Sequence, residues 1–222
     1  MSAPDSAMSA SRDPIAELER RRLVSIVRMD EPGEEIAQAL LDAGVSVVEL
    51  SLVSPGALAT LSRWRERFPE LVLGAGTVLD GEACARAIDA GARFLISPGL
   101  EPSVAAVARE ASVPYIPGAL TATEIGACLA EGAPLVKLFP AGPLGPAYLS
   151  QLLGPFPHLR LLPTGGVSEA NAPAFLAAGA VAVAVGSSIV GPGSTYASVR
   201  SAAARMVDAI AANDKGDASH AD

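Results

Sequence analysis

Lys137 stands inside the apolar run LVKLFP (135–140), and Glu49 sits at the end of a second one, VSVVEL (45–50). Of the 16 basic residues only two are lysines, and the other, Lys215, falls in the polar stretch NDKGDASHAD. Burying an unpaired ammonium is costly, so a lysine in such a run calls for a reason. An ordinary lysine, with a pKa of about 10.4, is protonated at neutral pH and is no nucleophile. Between apolar neighbours, desolvation disfavours the cation and lowers that pKa. The neutral amine can then attack a ketone and form a Schiff base. The protonated imine draws electrons from the adjacent carbon and permits carbon–carbon cleavage. The plainer alternative is a lysine that snorkels its ammonium to water from a strand end. Glu49 suits proton transfer to a carbinolamine and an enamine. It equally suits an ion pair with Arg28 or Lys137.

Two later segments suit an anion. PTGGVSEAN (163–171) sets Gly165 and Gly166 ahead of a short helix that Ser168 can cap, and VGSSIVG (185–191) adds Gly186 with Ser187 and Ser188. Backbone N–H groups freed of side-chain bulk cradle dianions. Turn chemistry is the competing reading for each segment alone.

The elements that must position these groups follow a regular alternation. Strand candidates are LVSIVR (23–28), VSVVEL (45–50), LVLGAG (71–76), FLISP (94–98), PYIPG (114–118), LVKLFP (135–140), RLLPTGG (160–166) and VAVAVGS (181–187). Ala-rich amphipathic stretches of about ten to fifteen residues separate them and predict helices. Ser54-Pro55 and Asp80 suit N-caps, Thr121 with Glu124 reads as a capping box, and Gly44, Gly91 and Gly179 close helices. Eight such units fit a (β/α)₈ TIM barrel with an N-terminal helix, formed as one domain over residues 13–212. An open doubly wound sheet is the alternative, but no GxGxxG opens the first helix. The ends, 1–12 and 213–222, are rich in Ser, Ala, Asp and Gly and read as flexible. In a barrel, chemistry collects at the carboxyl ends of the strands, where Arg28, Glu49, Thr77, Pro98, Lys137, Gly165, Gly166, Gly186 and Ser187 all fall.

Bulk composition excludes several classes. At 222 residues the chain can bury a substantial core, and with half its residues hydrophobic but 4% aromatic that core is aliphatic. A net charge of −8 argues against nucleic-acid binding. The local ERRR and RERF clusters read as solvated helix faces. No apolar run reaches bilayer length, and MSAPDSAMSASRDP lacks the pattern of a secretory signal. Cys84 and Cys128 form no CxxC pair and read as small core residues, which fits a reducing cytoplasm. His158 and His220 have no ligand-like neighbours, so no metal site is expected.

Taken in order, AGVSVVELSL, GAGTVLD, FLISPGL, IPGALTATEI, VKLFPA and PTGGVSEAN with VGSS resemble the class I aldolases for 2-keto-3-deoxy-6-phosphogluconate and its galactonate epimer. The similarity spans roughly residues 20–190. It implies a Schiff base on Lys137, a general acid/base at Glu49 and a pyruvate contact at Thr77. It further implies phosphate held by Gly165, Gly166, Gly186 and Ser187, with Thr164 and Pro98 lining the site and Arg28 able to bind the carboxylate. No metal or organic cofactor is implied. The implied products are pyruvate and glyceraldehyde 3-phosphate, and the implied assembly is a homotrimer. One position departs from the pattern: ELSLVSP puts Val53 where gluconate-type members carry arginine and galactonate-type members asparagine. ELSLVSP and GPLGPAYL look closer to the galactonate form. The competing functions are cleavage of an unphosphorylated acid such as 4-hydroxy-2-oxoglutarate, phosphosugar isomerisation or epimerisation on the same barrel, and phospholigand binding without turnover.

Overall fold

The computed structural model describes residues 13–217, with side chains described through residue 212. The expected flexible segment 1–12 and the last residues of the tail, 218–222, lie outside the described residues. In chain order the elements are α1 (Pro14–Arg21), β1 (Leu23–Val27), α2 (Glu34–Asp42), β2 (Val47–Ser51), α3 (Ala57–Arg67), β3 (Val72–Gly76) and α4 (Gly81–Asp89). Then come β4 (Leu95–Ile96), α5 (Pro102–Glu110), β5 (Tyr115–Ile116), β6 (Gly118–Ala119), α6 (Ala122–Ala130) and β7 (Val136–Leu138). The chain continues with α7 (Gly145–Leu153), β8 (Leu161–Pro163), α8 (Ala172–Ala177), β9 (Val183–Val185) and α9 (Tyr196–Asp217), the last running past 212 into the stretch expected to be a flexible tail.

Local chemistry sets most boundaries. The Asp80 carboxylate accepts from the Ala83 N–H at 2.7 Å, and Thr121 and Glu124 cap α6 reciprocally. Gly44, Gly91 and Gly179 leave their helices at positive φ. Two expected caps differ. Gly56 takes the N-cap position of α3, and Ser54 contributes only its carbonyl, to the Ala57 N–H. Asn171 takes that position on α8, while the Ser168 carbonyl accepts from the N–H groups of Asn171 and Ala172 and closes a turn. The PYIPG strand is split into β5 and β6 because Pro117 has no N–H to give to a ladder, although its carbonyl accepts from the Lys137 N–H.

All paired strands are parallel. Their hydrogen bonds form a six-stranded sheet, β5-β4-β3-β2-β1-β9, and a three-stranded one, β6-β7-β8. A single bridge, Thr164 to Ala184, links the end of β8 to β9. The result is an α/β fold with a curled parallel sheet, in two ladders where the sequence reading has one ring of eight strands.

Alternation along the strands splits the core into two layers. Leu23, Val27, Val48, Leu50, Val136 and Leu138 face the helices, in a layer that also buries Trp64 and Phe175. Val24, Ile26, Val47, Val72, Phe94, Leu135 and Leu162 pack inside the curl. Both faces are covered, so the strands read as near-continuous apolar runs. Cys84 and Cys128 are fully buried in the outer layer, and burial pushes both thiols up to about 11.

Helix α1 packs under the amino ends of the strands, where Ile15 and Leu18 join the inner layer. Between them Glu17 is buried; its carboxylate accepts from Ser46 Oγ at 3.2 Å, Arg20 Nε at 2.9 Å and Arg21 Nε at 3.0 Å. The arginines of the ERRR cluster therefore do more than solvate a helix face. They neutralise a carboxylate that the fold has taken out of water. Among the described residues no helix is long and apolar enough to cross a membrane.

Candidate active site

Toward the carboxyl ends of the strands, the inward rows exchange aliphatic side chains for functional ones. Val47 is followed by Glu49 and Ser51, Leu135 by Lys137, Leu162 by Thr164, and Ala184 by Gly186. The two-residue period of a strand keeps each pair on one face.

Lys137 lies at the centre of β7, in register with Gly118 on one side and Leu162 on the other. It is 4% exposed, so its ammonium is not carried out to bulk water. Its Nζ lies 5.0 Å from the centroid of the Phe139 ring, within cation–π range. Burial pushes the Lys137 pKa below the ordinary lysine range; the Glu49 charge opposes that shift and the Arg28 charge adds to it. Glu49, 1% exposed, is displaced the other way: burial pushes its pKa up, against the pull of Lys137 and Arg28. Among the described residues its Oε2 has no hydrogen-bond partner. Both shifts favour the neutral forms, and the unpartnered carboxyl oxygen is a buried acceptor set back from open space.

A cavity of about 1010 Å³ opens at this end of the sheet. Lys137, Arg28, Thr77 and Pro98 line it, as do Thr164, Gly165, Gly166, Gly186 and Ser187. Glu49 is not on the cavity wall; it lies buried against Gly76, whose missing side chain leaves its carboxylate room. Gly165 and Gly166 adopt successive left-handed conformations, with φ of 81° and 77°, a combination that side chains strain. Around them, the Gly142 N–H donates to the Gly165 carbonyl at 2.8 Å and Ala141 N–H to the Thr164 carbonyl at 2.9 Å. These bonds fasten the segment after β7 to the segment after β8, tying the lysine strand to the glycine cradle.

Of the other lining residues, Met29 and Asp30 carried no signal of type or spacing, whereas Gly191-Pro192-Gly193 carried one in its Gly-Pro-Gly composition, shortly after the VGSS segment. Val53 also lines the cavity and is 57% exposed. Among the described residues no group of three or more His, Cys, Asp or Glu is arranged to hold a metal ion.

With a parallel α/β sheet and a buried lysine–carboxylate pair at the carboxyl ends of its strands, the comparisons define the class. The profile described as "Aldolase: KDPG and KHG aldolase" matches residues 15–201. The chain belongs to the KDPG and KHG aldolase family. It is 38% identical over 159 residues to a 2-dehydro-3-deoxy-phosphogluconate aldolase of Pseudomonas aeruginosa, covering 70% of this chain and 72% of that one. It is 34% identical over 207 residues to a probable 2-dehydro-3-deoxy-6-phosphogalactonate aldolase of Rhizobium meliloti, covering 91% and 96%. A solved KDPG aldolase from Legionella pneumophila, with pyruvate captured as a covalent carbinolamine, superposes with a TM-score of 0.77 at 29% identity, over 90% of this chain and 98% of that one.

Proposed function

We propose that this chain is a class I, pyruvate-dependent aldolase that cleaves a 2-keto-3-deoxy-6-phospho sugar acid of the gluconate or galactonate type to pyruvate and glyceraldehyde 3-phosphate. The observation that carries the reading is Lys137, buried at a glycine-lined cavity within Coulombic reach of Glu49, with its pKa lowered by that burial.

In this reading the neutral Lys137 Nζ attacks the C2 ketone, and the carbinolamine loses water to give an iminium ion. Glu49 supplies and recovers the protons of that exchange. The Glu49 carboxylate, acting through a water, takes the C4 hydroxyl proton, and the C3–C4 bond breaks with its electrons passing into the iminium to form an enamine. Glyceraldehyde 3-phosphate departs. Glu49 protonates the enamine at C3, and hydrolysis of the resulting imine frees pyruvate and Lys137. Gly165, Gly166, Gly186 and Ser187 hold the phosphate, with Thr164 beside them, and a phosphorylated substrate is favoured because these glycines bring backbone free of side-chain bulk to the cavity wall. Thr77 and Pro98 bound the pyruvate end, and Arg28 balances its carboxylate. The residues need no metal or organic cofactor for these steps.

The same reading has the curled sheet close as a (β/α)₈ barrel in a single domain. β9 pairs with β1, Thr164 bridges to Ala184, and one residue, Pro117, separates β5 from β6. It extends to a homotrimer, supported by the family resemblance, and to a cytoplasmic location, which two unpaired cysteines suit.

Mass spectrometry after treatment with pyruvate and borohydride tests the chemistry. A reduced pyruvyl adduct mapped to Lys137 is the expected result. A folded protein with Lys137 unmodified would sink the mechanism. Turnover of the two phosphorylated epimers, compared with 4-hydroxy-2-oxoglutarate, then fixes the substrate.

A further inference from the structure

Thr77 follows β3 with a φ of +57°. That is the left-handed region, where a β-branched residue is a true outlier. Such strain persists only where the surroundings enforce it, and it clusters at functional sites. Here the enforcement comes from both neighbouring strands. On the β2 side, fully buried Ser51 brings its Oγ within 3.2 Å of Thr77 Oγ1, and the Leu52 N–H donates to the Gly76 carbonyl at 2.8 Å. On the β4 side, fully buried Ser97 donates its hydroxyl to the Val78 carbonyl, and the Val78 N–H donates to the Ile96 carbonyl at 3.1 Å. The residues before and after Thr77 are therefore pinned from opposite sides. Among the described residues its hydroxyl has a partner from one side only.

We propose that Ser51 is a positioning residue that aims the Thr77 hydroxyl at the carboxylate of the keto acid, while Ser97 clamps the same bend from the other strand. A hydroxyl has one proton to give. Either hydroxyl can donate across that 3.2 Å contact, and with Ser51 as the donor the threonine proton stays available for an acceptor in the cavity, such as a carboxylate. The arrangement favours ligands whose acceptor stands next to the carbonyl that Lys137 attacks. Ser51 acts through Thr77 and does not touch the substrate. The inference rests on the aldolase reading above.

Exchange of pyruvate methyl protons in deuterated water, followed by NMR, isolates enamine formation from phosphate binding. Wild-type protein is expected to exchange. In Ser51→Ala the KM for pyruvate in this assay should rise about five- to tenfold, the size of one lost hydrogen bond. The KM for glyceraldehyde 3-phosphate in the addition direction should stay within about twofold. Thr77→Val should match it, and the double variant should be no worse than Thr77→Val alone, because the two hydroxyls act as one unit. Thr77→Ser, which keeps the hydroxyl, should retain pyruvate affinity. Ser97→Ala should shift the same KM in the same direction, by less. Thermal unfolding of each variant identifies any that is merely loosened. Equal changes in both KM values, or effects of Ser51→Ala and Thr77→Val that multiply, would overturn the proposal. An unchanged pyruvate KM in Ser51→Ala would overturn it while leaving the aldolase reading intact; a wild type that exchanges no pyruvate protons would remove both.

Discussion

Gly76 and Glu49 share one space: a β-carbon built on Gly76 would fall 1.6 Å from Glu49 Oε1. The glycine on β3 is thus part of the reason that a carboxylate on β2 can lie buried there. Gly76→Ala should drive the carboxylate out of position without removing any functional group. General acid–base groups contribute about 10²- to 10⁴-fold, so the expected loss in kcat is at least about 100-fold. Steady-state cleavage, with circular dichroism to establish folding, measures it. A folded alanine variant with wild-type kcat would place proton transfer elsewhere.

The opposed displacements of Lys137 and Glu49 give a pH signature. Imine formation needs the neutral amine, whose fraction grows as pH rises through the lowered pKa of Lys137. Pyruvate trapping should therefore climb with pH and level off below the ordinary lysine pKa of about 10.4. Glu49→Gln removes the charge that holds the Lys137 pKa up. Its trapping curve should move to lower pH, even as turnover falls. A curve that moves to higher pH would mean that Glu49 does not act on the lysine through its charge.

Asn171 acts on the cradle from behind. Its Nδ2 donates to the Gly166 carbonyl at 2.9 Å and its Oδ1 accepts from the Ser168 N–H at 2.8 Å, so one side chain staples both ends of the turn. Asn171→Ala should raise KM for a phosphorylated substrate by about tenfold, the cost of one to two hydrogen bonds. Pyruvate trapping on Lys137 should continue at the wild-type rate. Measuring both in one preparation checks the split.

Glu17 governs acid stability at the far end of the fold. Burial by itself would raise its pKa, but hydrogen bonds and charge from Arg20 and Arg21 hold it down at about 2. Its folded pKa is below its unfolded value of about 4.3, so the unfolded state binds more protons in between. The stabilisation is complete above the unfolded pKa and is lost as pH falls from there toward 2. Arg20 is well exposed, which screens the pair, and about 1–3 kcal/mol is a discounted figure for the group. Urea unfolding of Glu17→Gln should show that loss at pH 7 and converge on wild type as the pH falls to the folded-state value. A constant difference across pH would mean that packing, not charge, sets the cost.

Lys137 and Glu49 were legible in the sequence because each interrupts an apolar strand, and a charge there conflicts with its surroundings. The glycine pairs were legible because they follow strands near the end of the chain. Glu17 was not, since ELERRR carries the composition of an exposed helix face. Only packing of α1 beneath the strands, a nonlocal event, buries that carboxylate. Ser51 and Asn171 were hidden for a related reason. Small polar residues at strand ends and turns are ordinary, and their hydrogen bonds depend on neighbours brought in by the fold. Ser168 shows the limit of spacing arguments: the segment allowed a helix to start there, and Asn171 took the N-cap position instead. Pro117 was visible as a residue that breaks a ladder, yet the sequence reading ran a single strand across it.

The stopper at the amino ends carries a consequence for traffic. Ile15 and Leu18 block that end of the curl, leaving the loop side as the route by which water and ligands reach Lys137. On the proposed reaction, the aldehyde is released while the three-carbon fragment is still bound to Lys137, so both products leave by that same loop side and the aldehyde leaves first.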